Sequence, residues 1–173
     1  SCDLLIGDGL IFIFAGGGSN SRTVSNTSAK GITAGVSVIV DGGSLTIDSA
    51  DDAIHSNGRL AINGGAFVLS SLDDAIHSDS TVDVNDGDIR VTRCYEGIEA
   101  NIVTINGGNM RIVSSDDGFI AGQSLSIMYA VMNITAAGDA IAAETDVLIG
   151  GGDITVSSGG GSSVKIAATT SAK

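Results

Sequence analysis

Acidic residues recur along this chain of 173 residues every 21 or 22 positions, each time just before a small residue and an Ile or Phe. Asp51 and Asp52 form a typical pair, whereas Tyr95 and Gly138 stand in two repeats where the first acid would be. The acidic residues of the motif are Asp51, Asp52, Asp73, Asp74, Glu96, Asp116, Asp117 and Asp139. Because they share one charge and offer many oxygen donors, the chemistry that they predict is cation binding.

The second acid of each repeat forms what we call the acidic column, namely Asp52, Asp74, Glu96, Asp117 and Asp139. If repeats stack at the strand spacing of about 4.8 Å, neighbouring carboxylates repel by roughly 3.5 kcal/mol at an effective dielectric of about 20. Calcium fits best, since it takes six to eight oxygens in flexible geometry, whereas magnesium demands a stricter octahedron. We therefore expect calcium as cofactor; the alternative is a solvated edge whose side chains spread into water.

Two histidines follow the acidic pairs at the same position of adjacent repeats. His55 and His77 should therefore stack, and two imidazoles can hold a transition metal. With no third nitrogen or sulfur ligand evident in the sequence, a surface ladder of histidines is the expected arrangement.

Three arginines and one tyrosine are candidates for binding a sugar. Arg90 and Arg111 are expected in one outward column on adjacent repeats, and Arg93 lies three residues before Glu96. A planar guanidinium matches a carboxylate bidentately, so these arginines could clamp a uronate, and Tyr95 could stack on a sugar ring. The alternative is that the arginines only neutralise the acidic edge and the tyrosine covers its strand.

Short strands must position these residues. Turns of Gly and Asn, such as Asn-Gly-Gly at 63–65, stand half a repeat before each acidic pair, and Gly accepts the positive φ that such turns need. The stretches beside the turns alternate with period two, which predicts strands. Aligned repeats put one apolar residue of each in an inward column, namely Ile32, Ile54, Ile76, Ile98, Phe119 and Ile141. The pattern predicts an all-β fold, a right-handed parallel β-helix with coils of about 22 residues.

Composition limits the classes of function. The formal net charge of -12 leaves no basic stripe for nucleic acid and disfavours an anionic membrane. The absence of Pro suits an uninterrupted ladder of strands, and the longest apolar run, at 10–15, is too short to span a bilayer. Cys2 and Cys94 are too few for a disulfide framework, and a packed thiol is expected at Cys94.

The two ends of the chain resemble each other, since residues 1–30 recur in altered form as residues 144–173. We expect one β-helix domain over 1–173, with a Gly/Ser/Thr-rich loop inserted at 16–28 and a matching segment at 159–173. Similar ends could dock head to tail, and a contact of that kind that does not close gives an open filament. A self-assembling structural fibre or matrix protein is therefore an alternative.

Several strings of the sequence resemble one bacterial family. They are SADDAIHSNG at 49–58, YEGIE at 95–99, INGG at 105–108, SSDDG at 114–118 and AETDV at 143–147. They are similar to the carbohydrate-binding domain-containing β-helix family, which includes a clostridial cellulose and acid-sugar binding protein and is similar to family 9 polysaccharide lyases. The resemblance covers roughly residues 3–161; Phe-Ile at 119–120 and Met-Tyr-Ala at 128–130 depart from the family pattern.

The resemblance implies a secreted or surface protein, calcium held by the paired aspartates, and acidic polysaccharide such as polygalacturonate as partner. It also implies a further alternative, a calcium-dependent pectate-type lyase, which needs a Lys or Arg base close to the metal. Lysines occur only at positions 30, 165 and 173, outside the main acidic layers, and an isolated arginine has a very high pKa. We therefore expect an extracellular binder rather than an enzyme, and no residue is expected to be catalytic.

Overall fold

Short β-strands make up the fold. A computed structural model describes residues 2–21 and 28–159, together with the backbone of 164–167. These residues include no helix, so none of them forms an apolar helix that could cross a membrane. The strands are β1 (Asp3–Ile6), β2 (Leu10–Ala15), β3 (Ile32–Ala34), β4 (Ser37–Val40), β5 (Ser44–Ser49), β6 (Ile54–Ser56), β7 (Arg59–Ile62), β8 (Ala66–Ser71), β9 (Ile76–Val84), β10 (Asp88–Arg93), β11 (Ile98–Ile105), β12 (Asn109–Val113), β13 (Phe119–Ile127), β14 (Ala130–Thr135), β15 (Ile141–Ala143), β16 (Asp146–Ile149), β17 (Gly152–Ser157) and β18 (Val164–Ala167).

Two sheets form the walls of a solenoid. Sheet A contains β1, β3, β4, β6, β7, β9, β11, β13, β15 and β16, and sheet B contains β2, β5, β8, β10, β12, β14, β17 and β18. Strands of successive coils pair in parallel, as Leu45 of β5 does with Phe67 of β8 one repeat later. This pairing confirms the predicted all-β solenoid of parallel strands.

The predicted inward column is the centre of the core. Its members pair in register through sheet A, in the order Ile32, Ile54, Ile76, Ile98, Phe119 and Ile141. The first five are buried, and Ile141 is partly buried against the same core. Since full burial of such a side chain contributes about 1.5–3 kcal/mol, the column ties each coil to the next and fixes the register of the residues beside it.

Glycine turns bend each coil between the two sheets. The turn glycines with positive φ are Gly43, Gly65, Gly87, Gly108 and Gly152. Beside them, Asn85 Nδ2 donates to Asn63 Oδ1 at 2.7 Å, and Asn106 Nδ2 donates to Asn85 Oδ1 at 2.8 Å. The turn at 128–130 has no glycine, and no described non-glycine residue has a positive φ, so this turn adopts a different conformation.

The predicted end segments are described only in part. Residues 22–27 of the expected loop at 16–28 lie outside the described residues, as do 160–163 and 168–173 of the matching segment at 159–173. In the backbone of 164–167, β18 pairs antiparallel with β17, unlike the other described strand pairs.

The two cysteines are free. Cys94 is 2% exposed, which confirms the packed thiol, whereas Cys2 is exposed. Burial raises the pKa of the Cys94 thiol to about 12, so this group stays protonated and inert.

Candidate metal and carbohydrate sites

The acidic column stacks one residue per coil. The backbone N–H after each acid donates to the carbonyl of the acid one coil later: Ala53 N donates to Asp74 O at 2.9 Å, and Ala75 N donates to Glu96 O at 3.0 Å. The same pattern leads to Asp117 and then to Asp139. The column therefore follows from the register of the core beside it.

The column becomes more exposed along the solenoid. Asp52 and Asp74 are 2% and 3% exposed, whereas Glu96 and Asp117 are intermediate and Asp139 is exposed. A buried carboxylate must find its compensating charge inside the protein, because water cannot supply it. The two ends of the column are therefore neutralised in different ways.

Lys30 stands at the start of the column, although sequence analysis placed it outside the acidic layers. It precedes Ile32 by two residues, as Asp52 precedes Ile54, and the two isoleucines pair in register. The Lys30 Nζ lies 2.9 Å from Asp51 Oδ1 and also contacts Asp52 Oδ2. The expectation was wrong because this coil has a base at the position where later coils have an acid.

The ammonium changes the charge state of the first acidic pair. Burial raises the pKa of Asp51, but the hydrogen bonds from Lys30, Ser28 and the Asp52 backbone, together with the charge of Lys30, outweigh burial and bring the pKa to about 2. Burial lowers the pKa of Lys30, but its bonds to Asp52 and Asp51 outweigh that effect and raise the pKa. Asp51, Asp52 and Asp73 bring three oxygens within 4.8 Å of one another, so this oxygen-only group already has a cation.

A second column lies beside the acidic one, three residues further along each coil. His55 pairs in register with His77, and His77 pairs with Glu99. The imidazoles stack with ring centroids 4.9 Å apart and an interplanar angle of 18°, so the predicted histidine ladder is present. Glu99 was not among the predicted site residues. The signal that could have identified it is the shared spacing, since Glu99 follows Glu96 as His77 follows Asp74.

Each histidine contacts the acid of its own coil. His55 Nδ1 lies 2.8 Å from Asp52 Oδ2, and His77 Nδ1 lies 2.8 Å from Asp74 Oδ2. His77 Nδ1 is also 2.8 Å from Glu99 Oε2. The hydrogen bond to Asp74 raises the pKa of His77 to about 9, so without a metal this imidazole is positively charged at neutral pH.

The carboxylates of the middle coils have less compensation. Burial raises the pKa of Asp74 to about 7, and among the described residues its Oδ1 is a buried atom without a hydrogen-bond partner. Burial, followed by the charge of Asp74, raises the pKa of Glu96 to about 8. Burial also raises the pKa of Asp73. A cation bound here would offset a charge that the described side chains do not fully balance.

The exposed end of the column has a different geometry, centred on Gly138. A Cβ at Gly138 would lie 2.6 Å from Asp116 Oδ1 and closer still to Asp117 Oδ1. The missing side chain thus leaves a space on which two carboxylate oxygens converge. Asp139 N donates to Asp117 Oδ1 at 2.6 Å, which holds that carboxylate in place.

Arg90 and Arg111 lie side by side on the outer face of sheet B, as predicted. They pair in register and line a surface groove of about 370 Å³. The other lining residues are Asp88, Asn109, Met110, Val131, Met132, Asn133, Asp153 and Thr155. Within the described part of the chain, neither guanidinium makes a hydrogen bond or an ion pair. Both are therefore available to an anionic ligand.

The other two predicted sugar ligands lie elsewhere. The Arg93 Nη1 donates to Asn20 Oδ1 at 2.7 Å. Tyr95 is exposed at the acidic column, where a hydrogen bond to Asp116 raises the pKa of its hydroxyl. The structure therefore brings together two of the four predicted residues, Arg90 and Arg111.

An exposed phenylalanine, which was not among the predicted site residues, lies in the same row as the two arginines. One outward row crosses sheet B in register, in the order Phe12, Thr46, Val68, Arg90, Arg111 and Asn133. Phe12 and its neighbour Phe14 are about 70% exposed. The available signal was that all six residues of β2 are apolar, although every second residue of a strand points outward.

Comparison with known proteins gives one match. A family model described as "Carbohydrate-binding domain-containing protein" matches residues 1–75 and again residues 73–173. No curated protein and no solved structure matches the chain. The two matches meet in the coil of Asp73 and Asp74, so each of the two contains part of the acidic column.

Proposed function

This chain belongs to the carbohydrate-binding domain-containing protein family, and we propose that it binds acidic polysaccharide on the outer face of sheet B without acting on it. The observation that carries the proposal is the pair formed by Arg90 and Arg111, which line one groove and have no protein partner among the described residues. Adjacent parallel strands are about 4.8 Å apart, so the two guanidiniums can bind the carboxylates of neighbouring sugars in a linear polyuronate.

The flanking charges fit a sugar acid rather than a simple anion. Asp88 lies two residues before Arg90 on β10, and it lines the same groove with Asn109. A guanidinium binds a carboxylate bidentately, whereas carboxylate and amide side chains exchange hydrogen bonds with hydroxyls. A uronate has a carboxylate and hydroxyls on one ring, so it satisfies both kinds of side chain.

Calcium is proposed as a structural ion at the exposed end of the acidic column. The donor set fits, because two carboxylate oxygens, from Asp116 and Asp117, converge on the space beside Gly138, with Asp139 adjacent. Calcium accepts carboxylate oxygens, carbonyls and waters in flexible geometry. Asp51, Asp52 and Asp73 fit it less well, since Lys30 already supplies their charge. When bound, the ion would supply charge neutralisation between coils.

Binding rather than catalysis is supported by the state of the candidate bases. Lys30 is paired with two aspartates that raise its pKa, so it cannot accept a proton at neutral pH. Arg93 is bonded to Asn20. Arg90 and Arg111 lie on sheet B, whereas the calcium donors Asp116 and Asp117 precede β13 of sheet A. A lyase needs its base beside the metal.

An extracellular location is part of the proposal. Extracellular modules bind calcium with dissociation constants of about 10⁻⁴ to 10⁻³ M, and a half-exposed site completed by water suits that weak class. Such a site fills only where calcium is abundant.

Head-to-tail assembly into a fibre is the competing hypothesis. The pairing of β18 with β17 argues against it, because an antiparallel strand occupies that edge of sheet B. A second solenoid could not add a parallel strand to β17 there unless β18 moved away. Negative-stain electron microscopy without sugar distinguishes the two, since the binder gives dispersed rods and the fibre gives filaments.

Native affinity electrophoresis tests the proposed function. The gel would contain polygalacturonate or its methyl ester, which keeps the backbone and removes the charge. We expect retardation by the acid form alone, and loss of most of it when Arg90 and Arg111 are both changed to Ala. The control is Arg59→Ala, which removes one positive charge, half of what the double variant loses, from an exposed pair with Asp83 on sheet A. Each retardation is measured relative to the mobility of the same protein in a gel without polymer. The proposal would be contradicted if both polymers retarded the parent protein equally, or if the acid form retarded the double variant as much as the parent.

A further inference from the structure

Asp74, His77 and Glu99 form a compact group of mixed donors in the middle of the solenoid. One ligand atom of each residue lies within 4.8 Å of the others. His77 Nδ1 is 2.8 Å from both Asp74 Oδ2 and Glu99 Oε2. We propose that this group binds one divalent first-row transition metal ion, zinc being the best fit, and that the ion links the second coil of the acidic column to the third.

The donor spacing suits such an ion. With bonds to nitrogen and oxygen of about 2.0–2.2 Å, two ligands of one tetrahedral zinc ion lie about 3.3–3.6 Å apart. The present separations of 2.8 Å are shorter, so small side-chain rotations would admit the ion. It would take the place that the Nδ1 proton of His77 occupies in the metal-free protein.

A buried oxygen without a partner is the second, independent observation. The Asp74 side chain is 5% exposed, and within the described residues its Oδ1 accepts no hydrogen bond although the atom is buried. An unsatisfied buried acceptor costs about 1–3 kcal/mol, and more for a charged group. A metal bound to both oxygens of Asp74 would remove that cost.

The preceding coil shows how the same position is satisfied without a metal. There Asp52 Oδ2 contacts both His55 Nδ1 and the Lys30 ammonium, and Asp52 Oδ1 accepts from Asp74 N at 3.2 Å. Asp74 has a histidine as Asp52 does, but Glu99 lies near it instead of a lysine. Two carboxylates face one imidazole, so their charge is only partly balanced, and the second coil lacks the ammonium that the first coil contains.

The nitrogen donor separates this group from the calcium site. Calcium takes oxygen ligands, whereas imidazole is a common ligand of zinc and other first-row transition metals. Asp116, Asp117 and Asp139 offer only carboxylates, and no histidine occurs after position 77. The two sites are therefore selective for different metals and do not depend on each other.

The site has a path to solvent. The Glu99 side chain is 38% exposed and that of His77 is 22% exposed, so an ion can enter from the outer face of sheet A, and water can complete its coordination. Asp74 and His77 belong to one coil, while Glu99 belongs to the next strand, β11. The expected role is a structural link between coils.

Isothermal titration calorimetry with zinc chloride on chelator-treated protein tests the proposal. All proteins carry Cys2→Ser, since the exposed Cys2 is itself a thiol ligand for zinc. We expect one zinc per chain, and at least tenfold weaker binding in His77→Gln and in Glu99→Gln. His55→Gln is the matched control, because it removes the stacked imidazole from the coil that Lys30 neutralises, and it should bind zinc within twofold of the parent. Asp117→Asn should also leave zinc binding unchanged.

Anomalous diffraction at the zinc edge from zinc-soaked crystals of the full chain gives a second measurement that needs no variant. A peak bonded to Asp74, His77 and Glu99 supports the proposal. The proposal is overturned by a titration without zinc binding in the parent protein, by unchanged affinity in folded Glu99→Gln, or by a peak elsewhere. None of these outcomes bears on sugar binding, since Arg90 and Arg111 lie on sheet B and the proposed metal ligands belong to sheet A and the turn before it.

Discussion

The Lys30 ammonium contacts the carboxylate of Asp52, which lies one coil later. Lys30 occupies the position in its coil that an acid occupies in the following coils. Gly31 N donates to Asp52 O at 2.9 Å, as Ala53 N donates to Asp74 O. The column of like charges therefore begins with its own counter-charge. The buried carboxylate of Asp52 therefore has its counter-charge inside the protein.

Replacement of Lys30 by Met should destabilise the protein. Asp52 is only 3% exposed at its side chain, and removing one partner of a buried ion pair costs about 3–5 kcal/mol. We expect a loss near 3 kcal/mol in chelator, and a larger gain of stability with calcium than in the parent, because calcium can then bind Asp51, Asp52 and Asp73. Thermal melting with chelator and with calcium measures both effects.

The control for that experiment is Arg59→Met, which breaks the exposed pair with Asp83. Exposed pairs contribute about 0–1 kcal/mol, so its melting temperature should hardly change. An equal loss in the two variants would mean that the Lys30 contacts are no stronger than a surface pair.

The fold was predictable because two independent patterns agree. Ile54 and Ile76 recur with the period of the Gly turns, and only parallel stacking puts both in register. The acidic column followed from the same alignment. Lys30 was placed outside the acidic layers because the repeat was defined by its acids, although Lys30 precedes Ile32 by two residues as Asp52 precedes Ile54.

Arg93 shows what a repeat cannot predict. The pairing of β10 with β8 shifts register between Val91 and Arg93, and a bulge of this kind redirects a side chain. Strict alternation would point Arg93 inward, opposite to Arg90, but after the bulge Arg93 is exposed and its Nη1 donates to Asn20 Oδ1. Sequence spacing assumes a constant rise per residue, so an irregularity of one residue is not visible in it.

Metal-free protein should lose stability as the pH rises from about 5 to about 9. The folded pKa of His77 is about 9 against an ordinary value of 6.5, so its stabilisation is complete below 6.5 and is lost through pH 9. The folded pKa of Glu96 is about 8 against 4.5, so ionisation of this group penalises the folded state over the same window. Both groups bind protons more tightly in the folded state, which fixes the sign.

Thermal melting from pH 4 to pH 9.5 in chelator measures this slope. Asp74, Glu99 and Asp79 face His77, and the acids of the neighbouring coils face Glu96. His77→Gln should flatten the curve above pH 6.5. A melting temperature that is constant or rises over this range would contradict the prediction.

Gly138→Ala should abolish the stabilisation by calcium while leaving the fold intact. The new methyl group would occupy the space between Asp116 Oδ1 and Asp117 Oδ1. The Asp116 carboxylate must then rotate away, and the Asp117 carboxylate must give up its hydrogen bond from Asp139 N. Gly138 has no positive φ, so Ala fits its backbone. Melting with added calcium is the measurement, and Gly122→Ala, on β13 away from the cluster, is the control. A calcium response equal to that of the parent would place the ion elsewhere.

The row on sheet B predicts a dependence on ligand length. From Phe12 to Asn133 it crosses five strand intervals, or about 24 Å at about 4.8 Å each. Affinity for oligogalacturonates should therefore rise with length until a chain spans the row, and then level off.

Val68 lies between Phe12 and Arg90, and Val68→Glu would place a carboxylate next to the arginine. Since that carboxylate repels polyuronate and pairs with Arg90, we expect roughly tenfold or greater loss, as for one charged hydrogen bond of about 1.5–3 kcal/mol. Val113→Glu introduces the same charge outside this row and should have a smaller effect in calorimetry. If both variants bind equally well, the polysaccharide does not lie along the row.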